Sequence, residues 1–237
     1  MFDRLQKQFA SIVVKPYLLW YLKKTRVTRL KTFELTIKPG VFHPKFFFSS
    51  RYLFDFVSSL RLTHKKFLEI GCGSGIISLL AHKKQAQVTC TDINPEAVTC
   101  TKENFIKNFG SNLSDFHCIE SDLFTSLPPV KFDVIVVNPP YFFEAVRFPS
   151  QLAWNCGKNG EYFKSLFSGV KSFMHEQTTF FMILAENCEI TRIKEIAGEY
   201  QLAFELLENK KIKWETNFIF KISRTGVFSK KSGDSND

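Results

Sequence analysis

Asn138, Pro139, Pro140 and Tyr141 directly follow a run of four β-branched residues and could hold a planar nitrogen group. The run, VIVV, predicts a buried strand that ends at the prolines, because proline donates no ladder hydrogen bond. The side-chain oxygen of Asn138 and the carbonyl of Pro139 could accept hydrogen bonds from an amide or aryl amine, on which Tyr141 could stack. Such acceptors would favour a tetrahedral nitrogen ready to attack an electrophile. A simple strand-ending turn is the alternative interpretation.

A glycine-rich loop lies earlier in the chain, within FLEIGCGSG. Gly71, Gly73 and Gly75 would let a ligand approach the backbone, and the following helix would offer free N–H groups. A dinucleotide fingerprint would need glycine where Ile76 stands. Glu69 would repel a pyrophosphate but would suit an ammonium or sulfonium ligand.

Two further acids end the next two predicted strands. Asp92 is placed to accept both ribose hydroxyls, and Asp122 could accept a hydrogen bond from an adenine amine. Each acid alone could equally be a helix cap or a solvated loop residue. Together with Glu69, at three successive carboxyl ends of strands, they favour a cationic nucleoside.

Strands and helices alternate regularly from residue 65 to residue 138, which predicts a parallel sheet covered on both faces. A buried strand follows at 178–185. Two last strands, near 203–212 and 217–223, have no helix between them and must form a hairpin. The expected fold is therefore α/β, with a seven-stranded, mostly parallel sheet that contains one antiparallel strand and carries helices on both faces.

Positive charge is concentrated near the N-terminus. Residues 1–66 contain fourteen Lys or Arg against three Asp or Glu, a net charge of +11, which leaves −2 for the rest of the chain total of +9. This asymmetry favours a polyanionic partner such as RNA, although a solvated basic surface is the alternative. We predict a basic extension over 1–45 with helical spacing up to residue 30, a catalytic domain over 46–224 and a flexible tail over 225–237.

The six cysteines contain no CxxC pair, and the five histidines have no metal-ligand spacing. This usage favours a reduced, cytoplasmic protein without a metal site. No apolar run is long enough for a membrane span, so we expect no membrane partner.

Residues 65–141 resemble the Rossmann-like S-adenosylmethionine-dependent methyltransferases, through EIGCGSG, TDINPEAV, SDLF and NPPY. The resemblance implies S-adenosylmethionine as cofactor and methylation of nitrogen in a planar system. It also implies that Ile93, Leu123 and Asn138 contact the cofactor. The NPPYFF segment and the basic residues near the N-terminus resemble those of the small-domain RNA base methyltransferases. We therefore expect the methyl group to be transferred to the exocyclic amine of a nucleobase in rRNA or tRNA.

The segments GVFHPKFFFSS and LAWNCGKNGEYFKSLFSGVKSF are instead similar to the release-factor glutamine methyltransferases, which makes a protein glutamine the alternative acceptor. Phe47, Phe48 and Ser49 stand where that group has an acidic residue and Thr. A catalytically silent nucleic-acid-binding module and a nicotinamide oxidoreductase are weaker alternatives. Three aromatic residues could cover the site or belong to the core (Phe42, Phe46, Phe47). Trp154 and Asn155, in the loop after NPPY, could control access of the acceptor to the site.

Overall fold

The structure is a computed structural model that describes residues 24–45, 48–112, 114–213 and 215–225. The described residues divide into two compact units, one up to residue 130 and the other from residue 131 onward. The helical spacing predicted over residues 1–23 and most of the predicted tail lie outside the described residues.

Within the described residues, the first unit contains a hairpin followed by alternating strands and helices. Its elements are β1 (Arg26–Leu30), β2 (Phe33–Ile37), α1 (Phe48–Ser59), β3 (Lys66–Ile70), α2 (Ile76–Lys83), β4 (Gln87–Asp92), α3 (Pro95–Phe109) and β5 (Phe116–Glu120). Strand β4 pairs in parallel with both β3 and β5, as the alternation predicted.

The helical spacing predicted up to residue 30 is wrong for Arg26–Leu30, which form strand β1. Thr28 and Leu30 are buried, whereas Val27 and Arg29, which alternate with them along the chain, are exposed, and this is the period of a strand. Strand β1 pairs antiparallel with β2 along its whole length. Strand β2 shows the same alternation, because Phe33, Leu35 and Ile37 are buried and Glu34 between the first two is exposed.

The second unit contains β6 (Phe132–Val137), α4 (Glu161–Val170), β7 (Met174–Ala185), α5 (Ile190–Glu199), β8 (Leu202–Ile212) and β9 (Glu215–Arg224). Strands β6 and β7 are parallel, and β9 runs antiparallel to both β7 and β8. The hairpin predicted from the missing helix is therefore confirmed, and β9 is the one strand of reversed direction.

Seven strands, β3 to β9, belong to one sheet in the order β5-β4-β3-β6-β7-β9-β8. The predicted seven-stranded, mostly parallel α/β fold is confirmed. Among the described residues, every helix is too short or too polar to cross a membrane.

Candidate functional site

The predicted glycine loop joins β3 to α2 in the first unit. Gly71 donates a backbone hydrogen bond of 2.8 Å to the carbonyl of Thr91, which ties the loop to β4. Gly75 has a φ of 80°, and a Cβ there would lie 2.7 Å from the side chain of Thr101. Glycine is therefore required at this position both by backbone conformation and by the approach of α3. Phe42, a candidate lid, lies beside Gly73, where an added Cβ would be 3.6 Å from the Phe42 side chain.

Asp92 ends β4 and fixes the middle of the glycine loop. Its Oδ2 accepts a hydrogen bond of 2.8 Å from the backbone N–H of Gly73, and its Oδ1 accepts one of 2.9 Å from Asn94. Burial raises the pKa of this carboxyl group, and the hydrogen bonds to Asn94 and Gly73 oppose the rise. A carboxylate oxygen can accept a second hydrogen bond, so both oxygens retain capacity for ribose hydroxyls.

Glu69 is buried at the end of β3 and holds the first turn of α2. The helix starts after Gly75, which has no side chain to cap it. Oε2 of Glu69 accepts a hydrogen bond of 2.9 Å from the backbone N–H of Ser78 and another from the Ser78 hydroxyl. Burial raises the pKa of Glu69 to about 8. In the structure, Glu69 therefore caps helix α2, and its contact with a cofactor stays a prediction.

The residues assigned to the adenosine moiety surround the ends of β4 and β5. Ile93, next to Asp92, is 41% exposed and offers an apolar surface to a purine ring. Asp122 has an exposed side chain, while its backbone carbonyl accepts a 3.1 Å hydrogen bond from Thr125 N–H. Leu123 is buried with a φ of 51°, a strained conformation for a residue other than glycine that recurs at ligand sites. Their roles in binding stay predictions.

Asn104 on α3 connects the N-terminal hairpin to the glycine loop, a link that no sequence motif indicated. Its Oδ1 accepts a 2.7 Å hydrogen bond from Thr36 N–H, and its Nδ2 donates to the carbonyls of Thr36 and Ser74, both at 3.0 Å. Asn104 is fully buried. No local pattern reveals this role, because the three partner groups belong to β2 and to the glycine loop.

Three of the six cysteines meet in the first unit. The sulfur atoms of Cys72, Cys90 and Cys118 lie within 4.8 Å of one another, and all three side chains are buried. Cys90 and Cys118 lie opposite each other in the paired strands β4 and β5. Because this proximity depends on strand register, the spacing of the cysteines in the sequence did not indicate the cluster. Three thiols could hold a soft metal ion.

The acceptor motif lies after β6 in the second unit. The Tyr141 hydroxyl donates a 2.7 Å hydrogen bond to Oδ1 of Asn138. Pro139 and Pro140 are buried, whereas Asn138 and Tyr141 are half-buried. Sequence reasoning assigned Tyr141 only a stacking face, and its hydroxyl adds a contact that orients the Asn138 amide. The amide oxygen of Asn138 can accept a second hydrogen bond, which an N–H group of the amine to be methylated could donate.

The loop that follows the motif is closed by backbone hydrogen bonds. The N–H groups of Tyr141 and Phe142 donate to the carbonyl of Trp154 at 2.9 and 2.8 Å, and Cys156 N–H donates to Phe142 at 2.8 Å. Asn155 is buried, and its Nδ2 donates a 3.3 Å hydrogen bond to the carbonyl of Ala145. Trp154 and Asn155 therefore shape the loop, and their gating role stays a prediction. Phe46 and Phe47 lie outside the described residues.

Comparison with known proteins identifies relatives of two kinds. A protein of Methanocaldococcus jannaschii, provisionally named a protein N5-glutamine methyltransferase, is 36% identical over 139 residues, which are 56% of this chain and 66% of the relative. A tRNA1(Val) (adenine(37)-N6)-methyltransferase of Bacteroides thetaiotaomicron is 28% identical over 141 residues, which are 58% of each chain. The chain thus spans less than two thirds of either relative.

A solved structure shares the fold. The T. thermophilus 16S rRNA N2 G1207 methyltransferase, in complex with AdoMet and guanosine, has a TM-score of 0.58 at 18% identity, covering 84% of this chain and 50% of that one. Residues 32–156, from β2 through the loop after NPPY, match the methyltransferase small domain. The chain belongs to the methyltransferase small domain family.

Proposed function

We propose that the protein is an S-adenosylmethionine-dependent N-methyltransferase that acts on the exocyclic amine of a nucleobase in tRNA or rRNA. The observation that carries this proposal is the acceptor group at Asn138–Tyr141, where a tyrosine hydroxyl orients an amide oxygen at 2.7 Å. Membership of the methyltransferase small domain family supports the reaction class.

The residues of the first unit fit the cofactor. Gly71, Gly73 and Gly75 allow close approach to the backbone, and Asp92 retains lone pairs for ribose hydroxyls. The exposed Ile93, with Leu123 and Asp122 after β5, would receive the adenine. Glu69, as a buried carboxyl group, would lie on the side of the sulfonium.

S-adenosylmethionine supplies, when bound, a methyl group on a positively charged sulfur that leaves as a neutral thioether. Asn138 Oδ1 and the Pro139 carbonyl would accept the two N–H groups of the amine and turn its lone pair toward the methyl carbon. The same oxygens would stabilise the positive charge that develops on nitrogen as the new N–C bond forms. The nitrogen then loses one proton to solvent, so a strong base is unnecessary.

RNA is the favoured acceptor for two reasons. The Bacteroides thetaiotaomicron relative is named for tRNA adenine, and residues 1–66 carry a net charge of +11 from fourteen basic and three acidic residues. Part of this charge is paired within the fold, as Lys31 lies 3.0 Å from Asp55 and Lys38 lies 2.7 Å from Glu103. Lys24 and Arg29 are exposed on or next to β1. Protein glutamine is the second candidate, favoured by the Methanocaldococcus jannaschii relative.

The test is incubation with S-adenosylmethionine carrying a labelled methyl group, against tRNA, rRNA and protein fractions of the source cell. We expect label in an N-methylated nucleoside after digestion of RNA. Asn138→Ala should abolish this transfer while leaving S-adenosylmethionine affinity, measured by calorimetry, within a few-fold. Label in glutamine instead would favour the second candidate, and full activity of Asn138→Ala would refute the acceptor assignment.

A further inference from the structure

The loop between NPPY and α4 exposes an unusual group of apolar side chains. Phe142, Val146 and Phe148 are 38%, 39% and 64% exposed, and the exposed Arg147 lies between the last two. Single exposed apolar residues are ordinary on protein surfaces. Two phenylalanines and a valine within seven residues, directly after an acceptor motif, are a concentration of apolar surface at a functional position.

The backbone that carries these side chains is fixed at both ends. The N–H groups of Arg147 and Phe148 donate to Oε1 of Gln151 at 2.8 and 3.2 Å. At the other end, Phe142 is bonded through its N–H to Trp154 and through its carbonyl to Cys156. A backbone that is already hydrogen-bonded loses little further conformational entropy when a ligand binds to the side chains that it carries.

Phe143 shows that this loop also has an inward side. Its ring stacks on Phe163 with a centroid separation of 6.0 Å, and the Arg192 guanidinium lies 4.0 Å from the ring centroid. A Cβ on Gly160 would lie 2.8 Å from the Phe143 ring, so glycine there makes room for it. Phe143 thus anchors the loop, whereas Phe142 and Phe148 keep 38% and 64% of their surface exposed.

We propose that Phe142 and Phe148, with Arg147, form a stacking subsite for the nucleobases that flank the acceptor nucleotide in single-stranded RNA. This inference rests on the proposed function and adds to it the residues that hold the substrate next to the acceptor. Every base has a flat face that an aromatic ring can stack on, and a guanidinium can contact the adjacent phosphate. Phe142 directly follows Tyr141 of NPPY, so the proposed subsite begins at the residue next to the acceptor motif.

The experiment measures binding of the full chain to a fluorescein-labelled, single-stranded adenine dodecanucleotide by anisotropy, with an abasic dodecanucleotide as second probe. Phe148→Ala should weaken binding of the adenine probe by about 5- to 150-fold, which corresponds to the stacking of one base. Phe148→Trp should bind as the unsubstituted protein does, and Phe148→Leu should behave like Phe148→Ala. The abasic probe should bind equally to all of them.

Leu206→Ala is the matched control, because Leu206 is an exposed apolar residue, at 48%, on strand β8 rather than in the loop. It should leave both affinities unchanged. In steady-state assays on the RNA that takes the label, Phe148→Ala should raise KM by the same factor and leave kcat unchanged.

Unchanged affinity of Phe148→Ala for the adenine probe would overturn the subsite, as would an equal loss on the abasic probe. If RNA is still methylated by Phe148→Ala with unchanged KM, the subsite is wrong and the proposed function stands. If the unsubstituted protein methylates only glutamine and binds neither probe, the proposed function itself fails.

Discussion

Glu69→Gln should change how the stability of the protein depends on pH. Burial raises the pKa of Glu69 in the folded protein to about 8, from an ordinary value of 4.5. The folded state therefore holds this proton more tightly than the unfolded chain does. The protonated carboxyl group therefore makes its full contribution to the free energy of unfolding below pH 4.5. This contribution is lost progressively as the pH rises from 4.5 through 8.

The size of the effect follows from the width of this window. Each pH unit between the two pKa values costs about 1.4 kcal/mol, so an interval of roughly 3.5 units corresponds to about 5 kcal/mol as an upper limit. Glutamine has the shape of the protonated acid and can still accept both hydrogen bonds from Ser78, but it does not titrate. Glu69→Gln should therefore match the unsubstituted protein near pH 4.5 and exceed its free energy of unfolding by several kcal/mol at pH 8.

The measurement is urea unfolding followed by circular dichroism at half-unit pH steps from 4.5 to 8.5, with the difference between the two proteins plotted against pH. Glu120→Gln is the matched control, because Glu120 is an exposed carboxylate at the end of β5. Its difference curve should stay flat. A flat curve for Glu69→Gln as well would show that Glu69 is ionised throughout this range, and the burial argument would be refuted.

Three further substitutions test other contacts of the site. Tyr141→Phe removes the 2.7 Å hydrogen bond to Asn138 and should lower kcat about 2- to 12-fold in the labelled-methyl assay, with cofactor affinity unchanged. Asp92→Ala should weaken S-adenosylmethionine binding by about 1–3 kcal/mol in calorimetry, and an equal affinity would contradict its ribose role. Asn104→Ala leaves Thr36 N–H and two carbonyls without their amide partner, and should lower the free energy of unfolding by about 3 kcal/mol in urea titration; a loss below about 1 kcal/mol would contradict the bridge.

The fold followed from the sequence wherever local signals agreed with tertiary packing. Helix α3 fits the predicted alternation of strands and helices, because Asn94 caps it by accepting a hydrogen bond from Glu96 N–H and Pro95 begins it. The final hairpin followed from a missing helix alone. Strand β1 was missed, since its alternation covers only five residues and its pairing partner, β2, decides its conformation.

The residues of the candidate site could be predicted from the sequence, but most of their contacts could not. Sequence placed Asn138 and Tyr141 in one motif because they are neighbours in the chain. The cap that Glu69 provides for Ser78, and the meeting of Cys72 with Cys118 at 4.0 Å, join different elements. A single sequence carries no signal for such pairs, because they depend on strand register and on the direction of each side chain.

Buried hydrogen bonds fix the conformation of the glycine loop, which its own sequence would leave flexible. Glycine loses more conformational freedom on folding than any other residue, so a loop with three glycines in five positions is costly to fix. Glu69 on β3 holds the turn after the loop, Asp92 on β4 holds the N–H of Gly73, and Asn104 on α3 holds the carbonyl of Ser74. Because the anchors come from three elements, folding of the first unit orders the loop before any ligand binds. Cofactor affinity should therefore fall in Asn104→Ala, although Asn104 is fully buried and is assigned no contact with the cofactor.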